Sequence, residues 1–150
     1  MRRVGAMILC GALLGCVPKP LPSVFIPLRN PTVQIASQAD VTIPRLAGDW
    51  RVVEGAGIAP GARITIEGTT IIINGMRLPF LPEGNGRYAM GPEDIWVHWL
   101  DVDNRTAALG EPGGSRVWIM DRTGRPGERL QAARDILAWY GYDLSRMEAP

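Results

Sequence analysis

The chain has 150 residues, of which 46% are hydrophobic and 21% are charged, and its formal net charge is +1. This length suits one domain, and a near-neutral chain without a basic run lacks the electrostatic surface of nucleic-acid-binding proteins. The single histidine excludes a metal site built from several imidazole ligands. No serine lies in a nucleophile-elbow pattern and no loop has the dinucleotide-binding glycines, so we predict no catalytic residue and no cofactor.

The N-terminus has the pattern of an export signal. Two arginines precede the uncharged, apolar run Val4–Leu14, which is too short for a membrane-spanning helix of roughly 20 residues. The following Leu13-Leu14-Gly15-Cys16 resembles the lipobox of bacterial lipoproteins. We therefore predict that residues 1–15 are a signal peptide and that Cys16 carries the lipid. An ordinary signal peptide with an incidental cysteine is the alternative.

Processing at Cys16 changes what the mature chain contains. Removal of residues 1–15 leaves 14 basic and 15 acidic residues, a net charge of −1. Cys10 is discarded and Cys16 is acylated, so no disulfide can form. Membrane contact then depends on palmitate-type acyl chains, each buried CH₂ of which contributes about 0.8 kcal/mol. Because Val17 rather than Asp follows the cysteine, we predict an anchor in the outer membrane with the protein facing the periplasm.

A proline-rich stretch, residues 16–40, follows the lipid site and precedes the predicted domain at residues 41–150. Prolines at this density favour extended polyproline-like chain, a semi-rigid spacer of roughly 3 Å per residue. Phe25, Ile26 and Leu28 are too apolar for a fully solvated spacer. Part of this tether is therefore expected to lie against the domain.

Short β-branched and aromatic runs broken by Gly, Pro and Asn follow, the pattern of an antiparallel meander. Two prolines in Met76–Pro82 argue against a central strand there. The run Ile71–Ile73 does not alternate with polar residues and is open to burial on both faces. The predicted strands are Asp49–Glu54, Ala62–Glu67, Thr70–Asn74, Gly86–Met90, Ile95–Asp101, Thr106–Gly110 and Arg116–Asp121.

One amphipathic helix is predicted after the strands, from Pro126 to Tyr140. Pro126 suits the first turn and Gly141 suits the residue after the end. Such a helix must bury its apolar stripe on the outside of the sheet. The stripe consists of Leu130, Ala133, Leu137 and Tyr140.

Several motifs together resemble the lipocalin family, particularly its bacterial lipoprotein members. They are Gly48-Asp49-Trp50 at the start of the first strand, the hairpin segments Trp96–Asp103 and Arg105–Gly110, and Val117–Arg122 before the helix. The resemblance implies a mainly β fold, an antiparallel up-and-down barrel of seven or eight short strands with one C-terminal α-helix outside. It also implies that Gly48 and Trp50 close one barrel end and that Arg122 stacks on the indole.

The same resemblance implies a small hydrophobic ligand, such as a fatty acid or lysophospholipid. The candidate cavity residues are Val52, Ile64, Ile66, Trp96, His98 and Leu100. For His98, a hydrogen-bonded core or rim position is the alternative. Only 74 residues separate Gly48 from Arg122, so the barrel is trimmed, with seven strands or one open side, and a cavity cannot be assumed. A filled barrel that acts on a protein partner, as a structural or protease-inhibitor-like lipoprotein, is the second functional hypothesis.

Overall fold

A computed structural model describes residues 19–150, so the signal peptide, the lipobox and Cys16 lie outside the described residues. Eight antiparallel strands form a closed barrel in which each strand pairs with its chain neighbours and the last pairs with the first. The strands are β1 (Gly48–Ala56), β2 (Arg63–Glu67), β3 (Thr70–Ile73), β4 (Met76–Gly84), β5 (Arg87–Met90), β6 (Glu93–Leu100), β7 (Thr106–Gly110) and β8 (Val117–Asp121). The predicted barrel is confirmed, with eight strands and no open side.

Two α-helices flank the barrel in sequence. Helix α1 (Ile43–Leu46) precedes β1, and helix α2 (Arg129–Trp139) follows β8, with a 3-10 turn at Leu144–Arg146. Helix α2 begins three residues later than predicted, because Gly127 has a φ of +62°, which a right-handed helix does not permit. Among residues 19–150, no helix has the length and apolarity needed to span a membrane.

Strand β4 (Met76–Gly84) corrects the prediction that two prolines keep this segment out of the sheet. Its first half pairs with β3 and its second half with β5. The amide of Phe80 donates to the carbonyl of Thr69, on the β3 side, at 2.8 Å. Successive backbone nitrogens point to opposite sides of a strand, so the nitrogen of Pro79 faces β5 and that of Pro82 faces β3. The pairing with β5 begins only at Phe80, and the pairing with β3 already ends at Pro79. Neither proline removes a ladder hydrogen bond.

The barrel interior is the main hydrophobic core, with 19 buried side chains in one cluster. Ile64 and Ile66 of β2 point inward, as do Ile71 and Ile73 of β3, while Ile72 is only partly buried. The isoleucine run of β3 therefore alternates between the two faces like an ordinary strand, and it is not buried on both sides.

A second core lies outside the barrel, under helix α2. Ala133 and Leu137 of the helix are fully buried against the outer faces of β7 and β8. Leu130 and Tyr140 complete the predicted stripe as partly buried neighbours of the same cluster. The helix thus covers the outside of the sheet, as its amphipathic pattern predicts.

The tether docks on the barrel over its second half, which shortens the predicted spacer. Leu28 and Arg29 are buried, and the Leu28 amide donates to the carbonyl of Gly114 at 2.8 Å. Further along, the Gln38 amide donates to the carbonyl of Val97 at 2.8 Å. Residues 28–41 therefore belong to the folded unit. Within the described range, only the exposed residues 19–27 act as a spacer.

Candidate functional site

One end of the barrel, which we call the floor, is closed by the end of α1 and the start of β1. The indole N–H of Trp50 donates to the carbonyl of Leu46 at 2.7 Å. The Arg122 guanidinium lies 3.7 Å from the centre of the indole ring, and it donates to the carbonyls of Arg45, Ala47 and Asn104. Each nitrogen of this guanidinium has a backbone acceptor, so the pair is held in place at the closed end of the barrel.

Gly48 sits directly beneath this pair. Its φ is +99°, and a Cβ atom built there would lie 3.0 Å from Nη1 of Arg122. A side chain at this position would therefore be strained and would press on the stacked guanidinium. The floor requires glycine here for both reasons.

The barrel interior is filled by side chains. The rings of Phe80 and Tyr88 stack with centroids 4.3 Å apart, and Trp118 is fully buried with its indole N–H unpartnered among the described residues. At the other end of the barrel, the rim, the Ile58 backbone closes over Gly55 where no Cβ would fit. Four predicted cavity residues belong to this solid core: Val52, Ile64, Ile66 and Leu100.

The remaining two predicted cavity residues, Trp96 and His98, do not line the interior, which corrects that prediction. The pairing of β6 with β7 shifts register between Val97 and Trp99, so a β-bulge at His98 resets the alternation. Val97 and Leu100 consequently both point inward. Trp96 lies on the outside under the Arg87 guanidinium, at 3.9 Å.

His98 instead joins the tether to the outside of the barrel. Its Nδ1 lies 2.6 Å from the carbonyl oxygen of Ala36 in the tether, and its Nε2 lies 3.0 Å from the hydroxyl of Tyr142. Burial and, to a smaller extent, the nearby charge of Arg29 lower the pKa of His98 to about 4, against the Ala36 hydrogen bond. The neutral ring donates through Nδ1 to Ala36, and the Tyr142 hydroxyl shares its one proton between Nε2 and the carbonyl oxygen of Glu111, 3.1 Å away.

A cavity lies on the outer surface at the rim, between the tether and the β1–β2 loop. We call it the tether cavity; its volume is about 530 Å³. One wall is apolar tether, and the opposite wall is the end of β1 and its loop. The lining residues are Val24, Phe25, Ile26, Leu28, Gly55, Ala56, Gly57, Ile58, Ala59, Ser115, Arg146 and Glu148.

Polar groups meet these apolar walls at three points. The Ser115 hydroxyl is buried and has no hydrogen-bond partner among residues 19–150. The Arg146 guanidinium donates through Nη1 to the carbonyls of Ile26 and Pro27, at 3.0 and 2.9 Å. The Glu148 backbone pairs with Gly55. The cavity therefore offers apolar surface together with the charged side chains of Arg146 and Glu148, a combination suited to an amphiphile.

Two smaller cavities lie at the floor. One, of about 360 Å³, is lined by charged and polar groups that include Asp49, Arg51 and Arg63. The other, of about 260 Å³, lies beside α1 and Tyr88. Within the described range 19–150, no group of three or more His, Cys, Asp or Glu side chains is arranged to hold a metal ion. Neither floor cavity combines apolar walls with a buried, unpartnered hydroxyl.

None of the residues that line the tether cavity is among the residues predicted to line a ligand site. Ile58, Ser115 and Arg146 come from segments that look like loop and C-terminal tail, and only folding brings them beside the tether. The one signal in the sequence is the apolar character of Phe25 and Ile26, which remain 64% and 67% exposed.

Comparison with known proteins supports the fold. No protein-family model matches the chain, and no curated protein matches it. Among solved structures, lipocalin 12 from rat epididymis is similar with a TM-score of 0.54 and 11% identity, over 82% of this chain and 90% of that chain. The major allergen Per a 4 from cockroaches is similar with a TM-score of 0.54 and 12% identity, over 80% and 94% of the respective chains. At this identity the likeness establishes a lipocalin-like barrel with its outer helix, and no more.

Proposed function

We propose that this protein is a lipid-anchored lipoprotein of the cell envelope that binds an amphiphile, of the fatty acid or lysophospholipid type, in the tether cavity and not within the barrel. The observation that carries the proposal is that the exposed apolar side chains of Phe25 and Ile26 and the Arg146 guanidinium line one cavity. An alkyl chain would bury the apolar side chains, and the guanidinium would pair with an anionic head group.

The size and composition of the cavity support the same ligand class. A volume of about 530 Å³ falls within the range of small-molecule sites, roughly 300 to 1,000 Å³. Phe25, Ile26 and Ile58 offer contacts to an alkyl chain, and Arg146 offers a positive charge to a head group. The filled barrel supports an external site, because a ligand could enter the barrel interior only by displacing core side chains.

The anchor is proposed from the lipobox at Cys16, and the outer membrane from Val17 after it. Treating cells with globomycin, which blocks cleavage of lipoprotein signals, tests this part. We expect a larger, uncleaved form to accumulate, and Cys16→Ala to have the same effect. An unchanged mature size in both cases would refute lipidation.

Ligand binding is tested with the mature chain in vesicle-free solution and a fluorescent fatty acid. We expect a saturable signal that Ala59→Phe weakens by at least about tenfold, because Ala59 is exposed on the cavity wall and a phenyl ring fills the space. The matched control is Ala132→Phe at an exposed position of α2. No saturable signal, or equal affinity of the Ala59→Phe variant, would reject the site.

A second function is favoured by the filled interior itself. With 19 buried side chains in the barrel core, the molecule is a rigid scaffold suited to contacts with another envelope protein. Under this alternative the fluorescent fatty acid does not bind, and the protein partner is found by crosslinking at the rim. The two functions thus give opposite results in the titration.

A further inference from the structure

We infer that residues 21–26 of the tether, which we call the apolar segment, lie in the head-group layer of the bilayer, so that the barrel rests on the membrane by its rim. The inference rests on the proposed lipid anchor at Cys16 and goes beyond it by fixing the orientation of the domain. The partner is a lipid surface.

The apolar segment exposes an unusual run of large hydrophobic side chains. The exposed fractions are 92% for Leu21, 83% for Val24, 64% for Phe25 and 67% for Ile26. Single exposed apolar residues are ordinary on protein surfaces, whereas a contiguous group marks an interaction site. Pro22 lies within the segment and Pro20 and Pro27 flank it, so the segment is too short and too rich in proline to bury these side chains in a helix of its own.

Hydrogen bonds hold the end of this segment against the barrel. The Arg146 guanidinium donates to the carbonyls of Ile26 and Pro27. The next residue, Leu28, is buried and donates its amide to the carbonyl of Gly114. The apolar side chains are therefore presented from a fixed position and not from a free spacer.

The attachment point identifies the end of the barrel that faces the lipid. Gly114 lies in the loop between β7 and β8, at the rim, and the β1–β2 loop residues Ile58 and Ala59 line the same cavity as the segment. Helix α1 and Trp50 lie at the opposite end, the floor. A bilayer that holds the apolar segment therefore meets the rim, and the floor points away.

The distance to the lipid anchor agrees with this placement. Leu21 is five positions after Cys16, so the chain between them can reach at most about 18 Å. The segment thus begins within reach of the head-group layer next to the hydrocarbon core. From residue 17 to residue 39 the chain has no acidic side chain, and Lys19 is near its start, so no negative charge within this stretch opposes contact with anionic lipid.

The first test separates the segment from the anchor. All eight strands and both cores lie within the described residues, so the chain from residue 16 contains the complete folded unit. Its Cys16→Ser form, without lipid, is mixed with vesicles of phosphatidylethanolamine and phosphatidylglycerol at 3:1 and floated. We expect the double variant Val24→Asp/Phe25→Asp to lower the vesicle-bound fraction at least about tenfold, since it replaces two apolar side chains with charges.

The matched control places the same charges on exposed apolar residues elsewhere. Leu81 on β4 is 49% exposed and Val102 in the floor loop is 89% exposed. We expect Leu81→Asp/Val102→Asp to bind vesicles as the parent does. Equal vesicle binding of the Val24→Asp/Phe25→Asp variant and the parent would overturn the inference.

The second test uses the lipidated chain, so that the inference can be tested even where the unlipidated form binds vesicles weakly. Cys16 is the only cysteine after residue 15, so a nitroxide label can be placed on Phe25→Cys or on Val102→Cys alone. We expect the label at 25 to be more accessible to oxygen than to a water-soluble nickel complex, and the label at 102 to show the reverse. Aqueous accessibility at both positions, the result if the segment serves a protein partner, would overturn the inference.

These outcomes are distinguishable from failure of the proposed function. Loss of lipidation is detected as an unchanged mature size after globomycin treatment. Loss of ligand binding is detected in vesicle-free solution with Ala59→Phe, a variant outside the apolar segment.

Discussion

Acidification is predicted to destabilise the protein through His98. In the folded state the neutral ring donates to the Ala36 carbonyl and accepts from the Tyr142 hydroxyl. Burial lowers its pKa from 6.5 to about 4, with Arg29 acting in the same direction. The unfolded chain therefore takes up a proton near pH 6.5, whereas the folded protein resists protonation until about pH 4.

The sign and size of the effect follow from this difference. A depressed histidine pKa means that the unfolded state binds more protons below pH 6.5, so the free energy of unfolding decreases as pH falls from 6.5 to 4. One pKa unit corresponds to about 1.4 kcal/mol, so the complete loss is about 3 kcal/mol. Above pH 6.5 His98 contributes no pH dependence.

The assay is urea unfolding followed by tryptophan fluorescence, at pH 7.5 and pH 4.5, for the parent and for His98→Gln. The parent is expected to lose about 2 to 3 kcal/mol more than the variant, which lacks the imidazole. Asp101 and Asp121, whose pKa values are lowered mainly by hydrogen bonds that outweigh burial, are present in both proteins and cancel. Equal losses in the two proteins would refute the reasoning.

Three further substitutions test other parts of the structure by the same unfolding assay at pH 7.5. Arg122→Lys is expected to cost about 2 to 3 kcal/mol, because lysine cannot keep three backbone hydrogen bonds and the stack on Trp50; unchanged stability would contradict this account of the floor. Gly86→Ala is expected to cost at least about 1 kcal/mol, since φ is +73° and a Cβ collides with the tether backbone, and a neutral or stabilising effect would argue against tether docking. Arg134→Leu is expected to cost about 1 to 3 kcal/mol by leaving the buried Glu54 carboxylate without its cation, whereas the exposed control Gln131→Leu should be nearly neutral.

Strand positions were largely predictable because local patterns determine them. The Gly-x-Trp motif marks the start of the first strand, and the helix stripe has the periodicity that burial on one face requires. The missed strand β4 also had a local signal, since Asn-Gly pairs at 74–75 and 85–86 flank it. Both asparagines adopt positive φ, as the tight hairpin turns favoured by Asn-Gly require. The prolines gave a wrong prediction because the sequence does not show that β4 pairs with β3 over its first half and with β5 over its second half.

The predicted ligand residues fail where a β-bulge intervenes. Alternation along β6 places Trp96, His98 and Leu100 on one face, yet the extra residue at His98 moves only Leu100 inward. The register of β1 with β8 also shifts between Val52 and Glu54, and as a result the Glu54 side chain points outward to Arg134 of α2. A bulge depends on pairing with a neighbouring strand, so a single strand's sequence does not reveal it.

The tether cavity was unpredictable for a related reason. Its walls join the tether near residue 25, the β1–β2 loop near residue 58 and the C-terminal tail near residue 146. Hydrogen bonds between residues about 120 positions apart hold them together. No periodicity or motif encodes such contacts, although the apolar tether residues indicated that some surface would meet them.

The most direct test of amphiphile binding in the tether cavity is an NMR titration of the isotope-labelled mature chain with lysophospholipid below its critical micelle concentration. We predict saturable shifts in the amides of Phe25, Ile26, Ile58 and Ser115, with little change in the methyl groups of the barrel core. Shifts centred on the core methyl groups of Ile64 and Ile66, or no saturable shifts at all, would contradict the proposal.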